Sequence, residues 1–305
     1  MIANKIVLAG GNGYLGSVLA EYYSPRCVEV VLLSRRPALP RGNIRTVVWD
    51  ALREGPWVQE LEHADMLINL CGKNVNCRYN EKNRSEIVSS RVVPTTLLGR
   101  AIAACAAPPA LWINVTSATI YRHAEDRPQD EETGEIGSGF SIDVCNRWEE
   151  AFYAAPTPAT RKVALRMGIV LGRRDGVFPR LRNMVRFGLG GKQGNGRQYV
   201  SWIHEHDVAR ITEWLLQHPE LQGHINCVAP SAVTNAELMR HLRQACKMPI
   251  GLPAPAWLLE IGALLIGTET ELILKSRWVT PKRLLGSGFK FRFEKLEDAV
   301  RDVVG

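Results

Sequence analysis

The sequence lacks the features that mark several whole classes of protein. Its seven cysteines (Cys27, Cys71, Cys77, Cys105, Cys145, Cys227 and Cys246) are odd in number and dispersed, and none forms a C-x-x-C pair. That argues against a disulfide framework and fits free thiols in a reducing compartment. His204 and His206 flank Glu205, but no Cys/His cluster joins them, so no metal site is expected. The net charge of +7 is spread along the chain with no block of like charge. Without an aromatic-interleaved basic patch or a recognisable motif, nucleic acid is not an expected partner. The longest late apolar run, 256–267, is broken by Glu260 and is too short to cross a bilayer, so a membrane is not expected either. The apolar run near the N-terminus reads as a first strand, not a leader. Repeats and low-complexity segments are absent. The expectation is a cytoplasmic protein whose oligomeric state is open.

What is present begins with Lys5-Ile6-Val7-Leu8-Ala9-Gly10-Gly11-Asn12-Gly13-Tyr14-Leu15-Gly16, an apolar strand running into glycines. Ser17 to Tyr23 follow with helical spacing, and a second apolar run, Val28 to Leu33, comes next. In this strand, turn and helix, Gly10 allows the sharp turn off the strand. Gly13 lets the backbone approach a pyrophosphate, and Gly16 lets the helix pack closely on the strand. Asn12, Tyr14 and Leu15 share the loop, at the positive end of the helix dipole. The context predicts a dinucleotide site. Where NAD-binding proteins carry a carboxylate for the ribose 2′-hydroxyl, the second strand ends in Ser34-Arg35-Arg36. Two guanidiniums and a hydroxyl suit a 2′-phosphate, so the predicted cofactor is NADP(H); the plain alternative is a pair of solvated arginines.

Further strands are predicted at Ile44–Asp50, Asp65–Leu70, Leu111–Thr116 and Lys162–Leu171, with helices at Glu81–Ala107, kinked at Pro94, and Ile142–Ala155. Asp50 can accept from an adenine amino group or cap a helix. Leu70, Cys71 and Gly72 end the fourth strand in small residues where a cofactor backbone can pass. The alternation predicts an α/β protein, a Rossmann-type doubly wound parallel sheet in residues 1–172, with a smaller C-terminal α/β lobe in 173–305, some of whose segments return to the main sheet. Ligands in such sheets sit at the carboxyl ends of the strands, which aligns the glycine turn, Arg35, Asp50, Cys71 and Ser117 on one rim. In the lobe, 189–196 reads as a glycine-rich loop able to wall a substrate. Short strands are read at Tyr199–His204 and Ile225–Val228. Asp207 is read as the cap of the helix that follows.

The Gly10-x-x-Gly13-x-x-Gly16 turn and Thr116-Ser117-Ala118-Thr119-Ile120-Tyr121 resemble the extended short-chain dehydrogenase/reductase superfamily of the epimerase and dehydratase type. Asn69-Leu70-Cys71-Gly72-Lys73-Asn74, Ser90-Arg91-Val92, Ser201-Trp202-Ile203-His204 and Pro281-Lys282-Arg283-Leu284-Leu285-x-x-Gly288-Phe289 extend the likeness over nearly the whole chain. Together they resemble the atypical "epimerase family protein" group, whose C-terminal lobe carries a domain of unknown function. The resemblance implies that Ser117 is the catalytic serine and that Arg91 lies near the cofactor, where it meets a phosphate or forms a surface salt bridge.

One departure bears on chemistry. The superfamily's Tyr-x-x-x-Lys pair, anchored on Trp148-Glu149, falls on Ser141 and Cys145, and the stretch 136–150 contains neither Tyr nor Lys. A serine hydroxyl is a far weaker acid than a phenol. Tyr121, just past Ser117, is the leading alternative acid, against a reading as a packing aromatic. His123 and Cys145 are weaker candidates, and Arg166 and Arg197 are candidates to meet a substrate anion. The readings are an oxidoreductase or epimerase using another acid, the same chemistry on a small substrate that supplies its own acid group, or a non-catalytic NADP(H)-binding regulator.

Overall fold

β1 (Ala3–Ala9) is the axis of the molecule, because five of its seven residues are buried and its neighbours on both sides are apolar strands. The computed structural model describes residues 2–260 and 269–305. The chain leaves β1 through α1 (Tyr14–Tyr23) to β2 (Cys27–Ser34) and β3 (Ile44–Val48) on one side. It then crosses to β4 (Met66–Asn69), passes through α2 (Glu81–Ala104) to β5 (Leu111–Ser117), and through α3 (Phe140–Tyr153) to β6 (Arg161–Met167). The sheet order is β3-β2-β1-β4-β5-β6 with β10 (Gly223–Cys227) at the β6 edge, and every pairing is parallel. β10 comes from the second half of the chain and reaches the sheet through α5 (Glu205–Gln217). Parallel strands buried on both faces are nearly continuous apolar runs, as in the buried Met66–Asn69. One face packs Leu19, Tyr23, Val208 and Ile211 from α1 and α5; the other packs Trp57, Leu98, Trp112 and Phe152. Each such side chain contributes about 1.5–3 kcal/mol on burial. The order reverses between β1 and β4, which opens a crevice at their carboxyl ends.

The predicted long strand 162–171 is two. β6 ends at Met167, and β7 (Ile169–Leu171) leaves the sheet to pair with β9 (Trp202–His204). The switch falls at Gly168, where a Cβ would lie 2.8 Å from the Ser201 carbonyl oxygen. α2 runs through Pro94 as one element and ends at Ala104, three residues short of the predicted end. The apolar run 256–267 lies mostly outside the described residues. No helix among the described residues is long and apolar enough to cross a membrane.

The smaller lobe gathers α4 (Phe178–Arg186), β8 (Tyr199–Val200), β11 (Val233–Thr234), α6 (Asn235–Ala245) and α7 (Leu296–Val304) around Phe178, Trp202, Met239 and Val300. α6 starts in a capping box, Thr234 with Glu237. α5 is capped by His204, whose Nδ1 accepts from the His206 N–H at 3.1 Å, and not by Asp207. Asp207 is fully buried and accepts from the backbone N–H groups of Arg292 and Phe293, both at 2.9 Å. It ties the C-terminal segment to the sheet domain. Residues 276–280 lace the two halves together. The Arg277 N–H donates to the Tyr199 carbonyl at 2.8 Å, and Gln129 and Trp278 join at 2.7 Å.

Candidate functional site

The glycine turn has the predicted division of labour. Gly10 has φ +75°, and a Cβ there would meet Cys71 Sγ at 3.2 Å. A Cβ on Gly16 would overlap the Gly11 carbonyl. At Gly13 the only neighbour within 4 Å would be the Gly10 carbonyl oxygen at 3.6 Å, so this exposed position is open to a ligand. Gly13 also stands at the N-cap of α1 with no side chain on the free amides, so they are available to an anion. Asn12 is exposed beside it, and Leu15 packs back on the core. The Tyr14 side chain turns away, its phenol donating to Glu205 and lying against Gly172. Burial first, then the Glu205 carboxylate, pushes that phenol's pKa up. Tyr14 therefore joins α1 to α5, and only its backbone belongs to the turn.

At the end of β2, Ser34 is buried and its hydroxyl is spent locally, donating to the Arg36 carbonyl at 2.9 Å and accepting from the Arg36 N–H at 3.1 Å. Arg35 and Arg36 are exposed, and among the described residues neither guanidinium has an ion pair or a hydrogen bond. Arg35 is near enough to Cys71 to act on it electrostatically, although burial dominates and pushes that thiol up to about 12. Asp50 behaves as a cap: Oδ1 accepts from the N–H groups of Leu52 and Arg53 at 2.8 and 2.9 Å, which lower its pKa.

Beyond the switch point, Asn69 holds the ends of β4 and β5 together. Its amide donates to Thr95 at 3.0 Å and to Asn114 at 2.7 Å, while its oxygen accepts from the Cys71 N–H at 3.1 Å. Leu70 packs on the core. Gly72 lies under Arg91, where a Cβ would meet Cζ at 3.2 Å. The Arg91 guanidinium donates to the carbonyls of Ile87 and Lys73 at 3.0 and 3.1 Å and sits 5.1 Å from the Trp148 ring centre. Among the described residues it has no carboxylate partner, which removes the salt-bridge reading. Burial lowers its pKa. Ser117 is half-buried at the end of β5; its Oγ accepts from the Thr119 N–H at 3.2 Å.

Tyr121 does not reach the rim. It is 1% exposed, its hydroxyl donating to Asn226 and accepting from Arg166, each at 3.0 Å. With its hydroxyl satisfied on both sides, this phenol presents nothing to a substrate oxygen. Arg166 is likewise turned inward, its Nε and Nη2 on the two Glu149 oxygens at 2.9 and 2.7 Å. Cys145 is buried, and burial pushes its thiol up to about 12, which disfavours the reactive thiolate. His123 is exposed and accepts from the Ser276 N–H.

The start of α3 instead receives side chains that sequence reasoning missed. The phenol of Tyr79, from the loop before α2, lies near enough to Ser141 that this hydroxyl opposes the rise that burial gives its pKa. Glu271 accepts from Ser141 at 3.4 Å and pairs with Lys275 at 3.5 Å. Arg277 lies close enough to Cys145, Tyr79 and Glu271 to feel their charges. No local motif marks these residues, because Tyr79 and Arg277 are 198 positions apart and meet only through the lacing of 276–280. No group of His, Cys, Asp or Glu among the described residues is placed to hold a metal ion.

A doubly wound parallel sheet with an open glycine turn at its switch point defines the dinucleotide-binding class of α/β protein. Within that class the chain belongs to the NAD dependent epimerase/dehydratase family, whose profile matches residues 6–228. Residues 254–303 match a domain of unknown function, DUF1731. Epimerase family protein SDR39U1 of Mus musculus is 34% identical over 304 residues, covering 98% of this chain and 99% of that protein. Epimerase family protein YfhF of Bacillus subtilis is 29% identical over 98% of each. The crystal structure of human SDR39U1 (isoform 2) with NADPH matches with a TM-score of 0.87 at 31% identity, covering 98% of this chain and 99% of that one.

Proposed function

We propose that the chain is an atypical NADP(H)-dependent oxidoreductase or epimerase acting on a small molecule. The observation that carries the cofactor is the pair of exposed, unengaged guanidiniums of Arg35 and Arg36 at the end of β2, where NAD binding calls for a carboxylate. The uncapped amides at the start of α1, reached past Gly13, would hold the pyrophosphate, and Arg35 and Arg36 the 2′-phosphate. Leu70, Cys71, Gly72 and Arg91 border the path beyond the switch point. Asp50, with Oδ1 spent on its turn, has Oδ2 for the adenine side. The NADPH in the human relative supports the same choice.

Bound NADP(H) supplies the hydride donor or acceptor. Ser117, whose hydroxyl proton is free to donate, would orient the substrate oxygen. Tyr79 brings a phenol to Ser141, the position of the superfamily's tyrosine, and would exchange the proton with that oxygen. The absence of a lysine at Cys145 favours the second reading, a non-catalytic NADP(H)-binding regulator; the Tyr79 phenol favours the enzyme. With seven free thiols, the compartment we assign is the cytoplasm.

The test is a fluorescence titration with NADPH and NADH in parallel. A preference for NADPH that disappears in the R35A/R36A double variant is the expected result. Equal binding of both nucleotides, or of neither, overturns the cofactor assignment.

A further inference from the structure

The Arg277 guanidinium is buried with one edge bare. Nη1 donates to the Lys275 carbonyl at 3.4 Å, while Nε and Nη2 are fully enclosed and have no hydrogen-bond partner among the described residues. Those two nitrogens form the side edge of the guanidinium, which takes both oxygens of one oxyanion in parallel. A buried cation left this way is costly, since burial of a charge is offset only by a partner. Its own backbone is not the cause, because the Arg277 N–H and C=O are engaged with Tyr199 and Ser201. The side chain is therefore held in place and left without an anion.

Its surroundings make this a built site. Arg277 and Arg91 both lie within electrostatic range of Cys145, the position at which the superfamily carries its lysine. Lys275 adds a third cation, and Glu271 is the carboxylate that pairs with it. Glu269 lies near Tyr79 and Glu149 near Cys145, yet neither carboxylate hydrogen-bonds the free edge of Arg277. Gln193 and Gln198, under the same segment, are buried with Nε2 and Oε1 respectively free. Gln198 reaches the Ile273 carbonyl at 3.4 Å, so unspent polar capacity continues along this wall.

We propose that the free Nε–Nη2 edge of Arg277 binds an oxyanion carried by the substrate, a carboxylate or a phosphoryl group, near the start of α3. Its role as a substrate group rests on the cofactor reading above; the anion site itself does not. The substrate class is then a small anionic molecule whose charged group docks beside the reacting carbon. The guanidinium that holds it lies within electrostatic range of the missing lysine's position.

The experiment is thermal unfolding of the full chain with malonate and, separately, inorganic phosphate, at ionic strength matched with sodium chloride. Each arm is run with and without saturating NADPH, which fills the cofactor's phosphate positions. The expected result is a saturable rise in Tm with at least one anion in the NADPH-bound protein. A response to malonate alone assigns a carboxylate, and to phosphate alone a phosphoryl group. Arg277→Met should abolish the rise while keeping NADPH binding. Should that variant fail to fold, Arg277→Lys keeps the charge without the fork and should weaken the anion about tenfold or more. No rise with either anion in the wild type, or a rise undiminished by the variants, overturns the proposal. If NADPH does not bind but malonate acts through Arg277 without it, the cofactor reading falls and the anion site stands.

Discussion

Arg166 holds both carboxylate oxygens of Glu149 beneath the ends of β5 and β6, and its remaining nitrogen donates to the Tyr121 hydroxyl. The pair is 7% and 9% exposed, and Thr116 donates to Glu149 as well. Burial works against the guanidinium's charge, but the Glu149 bonds outweigh it and hold its pKa above the ordinary value. Removing one partner strands the other, so Glu149→Gln and Arg166→Met should each cost about 3–5 kcal/mol. Urea denaturation measures this. A loss under 1 kcal/mol in both would mean the site relaxes or admits water.

Two glycines of the same turn should fail in different ways. Gly16→Ala puts a Cβ into the Gly11 carbonyl, and all three atoms it would meet are Gly11 backbone, which cannot give way. It should destabilise the apo protein by more than about 3 kcal/mol. Gly13→Ala meets open space at φ −74°, which alanine adopts freely, so apo stability should stay within about 0.5 kcal/mol. Its methyl would instead occupy the approach to the pyrophosphate and weaken NADPH about tenfold or more. Denaturation and nucleotide titration of both variants separate the cases. Normal NADPH affinity in Gly13→Ala would place the phosphates elsewhere.

These glycines, and the strand and helix around them, were legible in the sequence because their constraints are local. A turn, a strand end and a helix start lie within 12 residues, and periodicity reports them directly. The exposed position of Arg35 and Arg36 at the end of β2 follows from the same local run of apolar residues. The start of α3 was not legible: reading along the chain finds no acid there, and Tyr121 is the nearest phenol in sequence. The structure turns Tyr121 inward because Asn226 and Arg166 satisfy its hydroxyl, and it brings Tyr79 in from a loop 62 residues before Ser141. Asp207 was misread likewise. An acid near a helix start suggests a cap, yet its partners are the Arg292 and Phe293 amides, 85 and 86 residues away.

Two phenylalanine substitutions distinguish the phenols. Tyr121→Phe leaves the Asn226 oxygen and one Arg166 nitrogen without their buried partner, and should cost about 1–3 kcal/mol of stability. Tyr79→Phe should leave stability and NADPH affinity nearly unchanged. Once a substrate is in hand, it should lower turnover by about 10²–10⁴ and remove the ionisation of the acid from the pH profile. Turnover intact in Tyr79→Phe would exclude that phenol as the proton donor.

His204 gives the fold a measurable acid sensitivity. The imidazole is fully buried, and burial, reinforced by His206, pushes its pKa down to about 4 despite Asp302 and Asp207 nearby. The unfolded chain takes up this proton near pH 6.5, the folded chain only near 4. Between those values the unfolded state holds more protons, so stability is complete above about pH 6.5 and falls as the pH drops towards 4. At pH 5 the loss from this residue is about 2 kcal/mol. His204→Asn keeps a side chain able to cap α5 but removes the titration. Urea unfolding at pH 7 and pH 5 should therefore show a smaller acid loss in the variant than in the wild type. Equal losses in the two proteins would assign the acid sensitivity to other groups.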